Sequence, residues 1–384
     1  MDDFRKANVF KIGEICDKIH SGGTPSTRYK EEYYGGNIPW LRSGEINFNS
    51  ITNTEMFITE LAIKNSSAKW IRNKSVLIAL TGATVARTCV NEISLTANQS
   101  CCALETNESI INYKYLYYYL ASKYFEIKGM AQGALTSLNL DLIKKIIVPV
   151  PKIKVQEEIV KILDSFTNLI DALNEELSLR QKQFEYYREK LLTFDDKSIN
   201  VNITPLGEIG NVCMCKRIMR NETNNEGGIP FYKIGTFGGI ADSFISKDKF
   251  EEYKNKYNYP KLGDILISAS GTIGKTVVFD GKPSYYQDSN IVWIDNDETK
   301  VINSFLRYIY TVIDWKVDDG GVIKRLYNTN IRSTLITYPK EKAVQQSIVE
   351  KLDAFESLIS SLKEEIALRQ KQYEYYREKL LTFD

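Results

Sequence analysis

The sequence is poor in the residues on which many enzyme mechanisms depend. Its 384 residues include one histidine, His20, and no Pro-Pro dipeptide. A histidine-based mechanism would have a single possible base, and His20 lies in a Gly/Ser loop without an evident partner. Amino-group methylation would require an Asn/Asp-Pro-Pro-aromatic motif, which is absent. Catalysis is therefore poorly supported, and binding is the better functional class.

Metal-binding and membrane-spanning patterns are also missing. None of the cysteines forms a C-x-x-C pair, so we expect buried free thiols rather than a zinc site. No run approaches 18 apolar residues, and the N-terminus has no signal-peptide core, which predicts a cytoplasmic protein with no membrane partner. The net charge of +1 neither supports nor excludes nucleic acid, because only the distribution of charge would be informative. The cysteines are Cys16, Cys89, Cys101, Cys102, Cys213 and Cys215.

What the sequence does contain is a long internal repeat. The segment 179–195 returns as 368–384 with a single substitution, Phe184 to Tyr373. Extended to 155–195 and 344–384, the match still holds at 28 of 41 positions. We call the separation in the chain between Leu179 and Leu368 the repeat offset. The chain is therefore two copies of one unit, each a variable block followed by a near-constant segment.

The near-constant segments have the apolar spacing of coiled-coil helices. Apolar residues recur at alternating intervals of four and three, with Arg180 and Arg369 as the interruptions. Each segment predicts a helix of about 37 residues, about 55 Å long. We expect the two helices to form an antiparallel intramolecular coiled coil related by a pseudo-two-fold axis. The alternative is two separate helices, each packed on its own domain. The apolar positions are Ile159, Leu163, Phe166, Ile170, Leu173, Leu177, Phe184, Tyr187 and Leu191, then Ile348, Leu352, Phe355, Ile359, Leu362, Ile366, Tyr373, Tyr376 and Leu380.

The variable blocks predict two similar α/β (α+β) domains with mixed sheets. The first domain is expected at 1–150, the central helical region at 151–195, the second domain at 196–338 and the C-terminal helical region at 339–384. A strand is predicted at Ser75–Ala79, and a helix over Ile111 to Lys128 carries a stripe of tyrosines that favours a core over a binding surface. Residues 76–82 correspond to 265–271, again at the repeat offset, and Gln99-Ser100 lies opposite Gln287-Asp288.

One segment, Ala269–Thr276, has the relaxed pattern of a phosphate-binding loop. Such a loop needs a helix directly after its Lys-Thr, whereas Val277-Val-Phe here predicts a strand running into a turn. A tight loop between strands is therefore the better interpretation, with Ser270, Thr272 and Lys275 as candidate donors to DNA. An ATP-binding enzyme built on this loop remains a third functional hypothesis.

The repeated helices also carry candidate partner contacts. A charge at a seam position costs stability and commonly fixes register or partner, which singles out the two arginines there. The near-identity of the two copies exceeds what a heptad requires, so two identical docking sites or a recent duplication would explain it. The candidate docking residues are Arg180, Lys182, Glu185, Arg188, Arg369, Lys371, Glu374 and Arg377.

These motifs together resemble the specificity subunits of Type I restriction–modification enzymes. The resemblance rests on Gly22-Gly-Thr-Pro-Ser26, on Asn37-Ile-Pro-Trp-Leu-Arg-Ser-Gly44, on 265–274 with Gln287-Asp-Ser-Asn290, and on the proline exits at 149–151 and Pro339. It implies a non-catalytic subunit with two target recognition domains that reads a bipartite, asymmetric double-stranded DNA site. It also implies docking of two modification subunits, to which two restriction subunits can be added. Cofactors are then expected only on those partners, namely S-adenosylmethionine, ATP and Mg.

One feature of the second block departs from the family pattern. The second block has Lys216-Arg-Ile-Met-Arg220 in place of the Gly-Gly-Thr-Pro-Ser element, so it should read an unrelated half-site. The helices are expected to set the spacing between half-sites, at most about 16 base pairs for about 55 Å. The candidate DNA contacts are Arg42, Ser43, Thr81, Arg87, Gln99, Ser100, Lys233, Ser270, Thr272, Lys275, Gln287, Ser289, Lys324 and Arg325.

Two further hypotheses stay open at this point. One is a specificity subunit serving a Type II enzyme whose methylase and nuclease are fused in one partner, which the neighbouring gene would distinguish. The other is a coiled-coil scaffold without a DNA role, which predicts no binding to duplex DNA even with the partner present.

Overall fold

The structure is a computed structural model that describes residues 6–131, 137–194, 199–315, 317 and 325–383. The chain divides into two compact units, Met1–Asn174 with Glu364–Asp384 and Glu175–Lys363. Each unit combines one globular domain with a segment of each of two long helices. Each is described by itself below.

The domain of the first unit contains two mixed sheets. One has the strand order β2-β10-β7-β8-β4 and the other β5-β3-β9-β6, and each contains one parallel pair, β4–β8 or β3–β9. Strands β1 and β11 form a separate antiparallel ladder. The strands are β1 (Asn8–Lys11), β2 (Cys16–Ser21), β3 (Tyr34–Leu41), β4 (Ser50–Ile51), β5 (Met56–Ile58), β6 (Trp70–Ile71), β7 (Ser75–Ala79), β8 (Thr88–Asn91), β9 (Leu95–Ala97), β10 (Cys101–Thr106) and β11 (Ile147–Val150). The helices of this domain are α1 (Ile12–Ile15), α2 (Lys30–Tyr33), α3 (Glu60–Lys64), α4 (Tyr113–Ser122), α5 (Tyr124–Gly129) and α6 (Leu140–Lys145).

Strand β7 explains why this domain has a core on both sides of its larger sheet. All five of its residues are buried, as an unbroken apolar strand requires. Val76 and Ile78 belong to the core that includes α4, whereas Leu77 and Ala79 belong to a second core on the other face. The predicted strand is confirmed, and its alternating residues hold the two layers together.

The predicted helix over Ile111 to Lys128 is divided in the structure. Helix α4 ends at Ser122, and α5 begins at Tyr124 after Lys123 leaves helical geometry with φ −94° and ψ 15°. The buried tyrosines of α4 are Tyr115, Tyr118 and Tyr119. Those of the predicted stripe, Tyr113, Tyr117 and Tyr124, are half-buried and pack against the same core. The buried face is wider than the predicted stripe, because α4 packs against both the sheet and the long helices.

The second unit has a smaller version of the same arrangement. Its main sheet has the antiparallel order β13-β19-β16-β17, and β14 pairs antiparallel with β15 and parallel with β18. The strands are β12 (Val201–Pro205), β13 (Gly210–Cys213), β14 (Ile229–Tyr232), β15 (Phe244–Ile245), β16 (Ile265–Ser268), β17 (Thr276–Val278), β18 (Tyr285–Tyr286), β19 (Ile291–Asn296) and β20 (Leu335–Pro339). The long helices are α7 (Ile153–Thr193) and α11 (Lys342–Leu381), and the shorter ones here are α8 (Lys247–Lys256), α9 (Asn303–Ile309) and α10 (Asn328–Ser333).

Strand β16 repeats the role of β7 in the second copy of the unit. Ile265 and Ile267 join the core that includes α9, and Leu266 joins the core on the opposite face. At the repeat offset these residues match Val76, Ile78 and Leu77, so the same alternation builds both domains.

The long helices run antiparallel to each other within each unit. In the first unit the ring of Phe166 stacks on that of Tyr376 at 5.5 Å between centroids, and Leu163 shares a buried core with Leu381. In the second unit Tyr187 stacks on Phe355 at 5.4 Å. The predicted α+β fold with two long antiparallel helices is confirmed. Most heptad positions turn inward, but Tyr187 and Tyr376 are exposed.

Each long helix is anchored to its domain by a buried glutamine near its start. Gln156 accepts a hydrogen bond from the backbone of Asn112 at 2.8 Å and donates to the carbonyls of Ile110 and Pro151. Gln345 accepts from Ile302 at 3.0 Å and donates to Lys300 and Pro339 in the same pattern. Both side chains are fully buried, so each domain and its helix are fixed by three equivalent bonds.

Candidate nucleic-acid interface

Loops of the first domain converge at one end of the larger sheet. The backbone of Gly22, just after β2, donates to the carbonyl of Cys101 at 3.0 Å, and Leu80, just after β7, donates to Ser100 at 2.8 Å. The short helical turn Ser43–Glu45 contacts the turn Gly82–Thr84. We call residues 22–26, 42–45, 81–87 and 98–100 the first loop surface. It contains every candidate DNA contact predicted for this domain.

The two glycines of the Gly-Gly-Thr-Pro-Ser element are required by close backbone packing. A Cβ on Gly22 would lie 2.2 Å from the carbonyl oxygen of Ala97, and one on Gly23 would lie 2.1 Å from the backbone of Ser67. The indole of Trp40 donates to the carbonyl of Gly23 at 3.0 Å. The motif therefore fixes the shape of the loop, and its glycines act as scaffold rather than as contacts.

The cations of the first loop surface are held by acceptors close to it. Arg42 pairs with Glu55 and lies 3.8 Å from Glu45. Arg87 donates to the side-chain oxygen of Asn47 at 2.8 Å. Among the remaining candidates, Gln99 is exposed and Ser43, Thr81 and Ser100 are half-buried.

The second domain has the same loop framework. The backbone of Ala269 donates to Asn290 at 2.7 Å, and Leu326 donates to Ala269 at 2.8 Å, as Leu138 donates to Leu80 in the first domain. Gly82 and Gly271, which correspond at the repeat offset, both have positive φ, of 77° and 67°. The turn after the central strand is therefore shared, although the residues around it differ.

Around this framework the second domain forms a polar cleft of about 560 Å³. Four of its lining residues were predicted from the sequence, namely Lys233, Gln287, Ser289 and Arg325. The cleft is lined by Arg217, Ile218, Arg220, Thr223, Asn225, Phe231, Lys233, Ser243, Gln287, Asp288, Ser289, Asn290 and Arg325.

Sequence reasoning missed three charged members of this cleft, Arg217, Arg220 and Asp288. The first two lie in the segment that replaces the Gly-Gly-Thr-Pro-Ser element, and that replacement was the available signal. Arg217 pairs through Nε with Asp288 at 2.9 Å. Nearby, a hydrogen bond from Lys233 lowers the pKa of Asp242, which lies 2.8 Å away.

The remaining candidates of the second domain do not line this cleft. Ser270 is buried and donates to the side chain of Asn290 at 2.9 Å, so it supports the loop. Lys275 donates to the carbonyl of Phe237 at 2.6 Å, and Thr272 is exposed. Lys324 lies outside the described residues.

The segment 269–276 is a loop between strands and not a phosphate-binding loop. Strand β17 begins at Thr276, where a phosphate-binding loop would have a helix N-terminus. A Cβ on Gly274 would lie 2.6 Å from the indole nitrogen of Trp315, so packing accounts for that glycine. The sequence-based preference for a loop over a nucleotide site is supported by this geometry.

The cysteines offer no reactive thiolate near the first loop surface or near the cleft of the second domain. Burial raises the pKa of Cys215 and Cys101 to about 12, and that of Cys16 to about 12 as well. Among the residues that the structure describes, no group of three or more His, Cys, Asp or Glu side chains is arranged to hold a metal ion. Within those same residues, no helix is long and apolar enough to cross a membrane.

The two copies of the helical repeat have the same local structure. Arg180 lies 3.4 Å from Glu176 and donates to Gln183, and Arg369 lies 2.7 Å from Glu365 and donates to Gln372. Each seam arginine is therefore neutralised within its own helix. Arg188 and Arg377 cover the rings of Phe184 and Tyr373 at 5.7 and 5.3 Å, while Lys182, Glu185, Lys371 and Glu374 lie on the same two stretches of helix.

Sequence reasoning missed the apolar residues on the outer face of this repeat. Leu179 and Tyr186 are 58% and 59% exposed, and their counterparts Leu368 and Tyr375 are 61% and 58% exposed. The signal was available, because an isolated coiled coil leaves outward positions free to vary and here they are identical. Large apolar side chains repeated on one exposed helix face are typical of a protein interface.

Comparison with known proteins gives one consistent result. A family model described as a Type I restriction modification DNA specificity domain matches residues 5–179 and again residues 199–368. The chain is 50% identical over 287 residues to a putative Type I restriction enzyme specificity subunit of Haemophilus influenzae, covering 71% of this chain and 73% of that protein. A Type I restriction enzyme specificity subunit of Escherichia coli is 33% identical over 193 residues, about half of each chain (48% and 47%).

The likeness extends to solved structures. The crystal structure of a Type I restriction–modification S subunit from M. genitalium matches with a TM-score of 0.63 and 16% identity, covering 97% of this chain and 96% of that one. At this identity the match concerns the fold.

Proposed function

This chain belongs to the DNA specificity subunits of Type I restriction–modification systems, and from that premise we propose how its two domains divide the recognition of DNA. It binds a bipartite, asymmetric duplex sequence, one half by each domain. The observation that carries the proposal is that the first loop surface and the cleft of the second domain are built on one shared framework but have different polar residues. A common framework with diverged ends supports two readers of different half-sites.

The contacts divide into phosphate and base contacts. Arg42 on the first loop surface, with Arg220 and Lys233 at the cleft of the second domain, supplies salt-dependent affinity for the DNA backbone. Amide, hydroxyl and guanidinium groups such as Gln99, Gln287 and Arg325 are suited to base edges in the major groove. The chain itself performs no catalysis in this proposal, and S-adenosylmethionine, ATP and Mg belong to its partners.

The helical repeats dock the partner subunits. Two copies of one outer face, with the same sequence and nearly the same exposure, support one modification subunit on each copy; restriction subunits join that complex. Leu179 with Tyr186, and Leu368 with Tyr375, are the apolar anchors, surrounded by the charged residues predicted from the sequence. The domain boundaries, the pseudo-two-fold axis and the role of the helices in setting the spacer stay predictions.

Methylome sequencing tests the proposal directly. A methylation-free host would express this chain with the modification gene beside its own, and single-molecule sequencing would then locate methylated bases. We expect one split motif with a fixed gap. An unmethylated genome, with both proteins soluble and associated, would contradict the proposal and favour a scaffold.

A variant of one domain tests the division of labour. Lys233→Ala should change recognition in one half of the motif, because Lys233 lines the cleft of the second domain. Single-molecule sequencing of the variant's methylome reads both halves at once. A change in both halves, or in neither, would count against one half-site per domain.

A further inference from the structure

One ion pair stands inside the cleft of the second domain without a role in the packing of its core. Arg217 and Asp288 are 71 residues apart in the chain and are brought together because β13 pairs with β19. The Arg217 side chain is 66% exposed, while that of Asp288 is only 16% exposed and faces the cleft from its wall.

The geometry leaves the recognition atoms of both groups free. Arg217 uses Nε to bind Asp288 Oδ2 at 2.9 Å, and Ser289 donates to the same oxygen at 3.1 Å. Among the described residues, no hydrogen-bond partner occupies the two terminal nitrogens of Arg217 or Oδ1 of Asp288. The pair therefore presents two donors beside one acceptor.

That pattern is the complement of one base pair. In the major groove a G·C pair presents two adjacent acceptors, guanine O6 and N7, next to one donor, the cytosine N4 amino group. The fork of an arginine bonds the two acceptors together, and a carboxylate accepts from the amino group. An A·T pair separates its two acceptors by a donor and cannot engage the fork in the same way.

We propose that Arg217 and Asp288 together read one G·C base pair in the half-site of the second domain. This inference rests on the proposed DNA-recognition function and names the base pair that one part of that surface takes. The presence of Asp288 favours contact of this pair with a base over contact with a phosphate. A carboxylate repels phosphate, whereas a base edge can donate a hydrogen bond to it.

The surrounding residues hold the pair in place before DNA binds. Tyr285 donates to the carbonyl of Lys216 at 3.1 Å, which fixes the backbone beside Arg217. Arg325 donates to the carbonyl of Ser289 at 3.0 Å, which fixes the turn that carries Asp288. A preorganised pair loses little side-chain freedom on binding, which favours discrimination.

Competition binding with the intact complex of this chain and its modification subunit tests the proposal. The probes are the duplex found by methylome sequencing and duplexes in which each base pair of the half-sites is replaced in turn. Arg217→Lys keeps the charge and loses the fork, and Asp288→Ala removes the acceptor. Both variants should lose discrimination at the same G·C position by about 5- to 150-fold. Asp288→Ala should bind unrelated DNA as well as the native chain or better, because a negative charge has been removed.

A second exposed ion pair provides the control. Lys261 and Asp295 lie 2.8 Å apart on the same domain, outside the cleft, so Asp295→Ala removes an equal charge without touching the proposed contact. It should leave discrimination unchanged. If the native chain binds specifically and both Arg217→Lys and Asp288→Ala keep full discrimination, the G·C assignment is wrong, whereas the proposed function stands. A uniform loss across all duplexes would also overturn the G·C assignment and would identify a phosphate contact. Absence of any sequence preference in the native complex would overturn the proposed function itself.

Discussion

The two domains share the bonds that anchor the long helices but differ in the loops that this framework carries. In each, a fully buried glutamine anchors the long helix, and a buried tyrosine donates to an aspartate of that helix, Tyr118 to Asp164 at 2.7 Å and Tyr308 to Asp353 at 2.6 Å. Around this common base the loop at the end of β2 is fixed by glycines, whereas the loop at the end of β13 is basic and borders a cleft. The residues that hold the framework are therefore different from those that shape the two loops.

The comparison separates positions that hold the fold from positions that we propose to contact DNA. Positions in the first group have a counterpart at the repeat offset with the same bonds, as Gln156 has in Gln345. Positions in the second group lack an equivalent interaction: Arg217 has Arg28 at the repeat offset, but Asp288 lies opposite Ser100, so their ion pair has no counterpart. This division can be tested with variants that should affect both domains equally and with variants that should affect only one.

The largest expected effect is a loss of stability confined to the first domain. Gly23→Ala would place a Cβ 2.1 Å from the backbone of Ser67, and backbone cannot move aside cheaply. We expect a loss of about 3–5 kcal/mol in unfolding free energy, the range of severe core substitutions. Hydrogen exchange of the intact chain would assign the loss to residues of the first domain.

Gly129→Ala is the matched control, because a Cβ there meets nothing within 4 Å and the φ is not positive. It should change stability by less than about 1 kcal/mol. In the second domain Lys216→Ala, in the corresponding loop, should also be mild. Equal losses from Gly23→Ala and Lys216→Ala would mean that the two loops share more of their structure than the comparison allows.

The next effect should be the same in both domains. Gln156→Leu and Gln345→Leu each leave a backbone donor and two carbonyls at a buried site without their partner. An unsatisfied buried group costs about 1–3 kcal/mol, so a loss of about 3 kcal/mol is expected for each variant. Urea unfolding monitored separately in the two domains measures it.

The exposed Gln346 is a suitable control, since Gln346→Leu changes the neighbouring residue of the same helix without a buried bond. If one of the two buried variants were tolerated and the other were not, the glutamine anchors would not be equivalent, and the shared framework would be restricted to the sheets.

Substitutions in the two copies of the helical repeat should also weaken partner docking equally. Tyr186→Ala and Tyr375→Ala remove exposed rings from the two copies of the repeat, and each should weaken one partner site by about 2 kcal/mol, a typical value for an interface anchor. Analytical ultracentrifugation should then show complexes with one modification subunit at concentrations where the native chain binds two. Glu189→Ala, an outward substitution on the same helix, serves as a comparison. Loss of both subunits from a single variant would contradict two independent sites.

The sequence predicted the framework well because its signals are local or repeated. The apolar alternation of β7 recurs in β16, and the heptads identify the inward faces of both long helices. The cleft was harder to predict, because Arg217 and Asp288 meet only through the pairing of β13 with β19. Leu179 and Tyr186 were overlooked for another reason: hydrophobic residues in a helix are first assigned to its core, and their exposure depends on the register of the seam. Ser270 is the opposite case: it was predicted to contact DNA, but it is buried and its hydroxyl supports the loop by donating to Asn290.

The smallest expected effect concerns a buried position at which the two frameworks differ. Asp264 is buried just before β16, and its counterpart at the repeat offset is Ser75, the first residue of β7. Burial raises the pKa of Asp264, although the backbone of Lys261 donates to its carboxylate at 2.7 Å. The folded state therefore holds this proton more tightly than the unfolded state. Its contribution to stability is fully present below the unfolded pKa and is lost as the pH rises through the raised, folded value. Asp264→Asn should remove that pH dependence and make the second domain less sensitive than the native domain to a rise in pH above the ordinary aspartate pKa of about 4. The first domain, with a serine at this place, should be unaffected, and urea unfolding of both proteins across that range would measure the difference. An unchanged pH dependence in Asp264→Asn would mean that the hydrogen bond from Lys261 offsets the effect of burial. Asp264 would then contribute no pH dependence to stability, as Ser75 contributes none in the first domain.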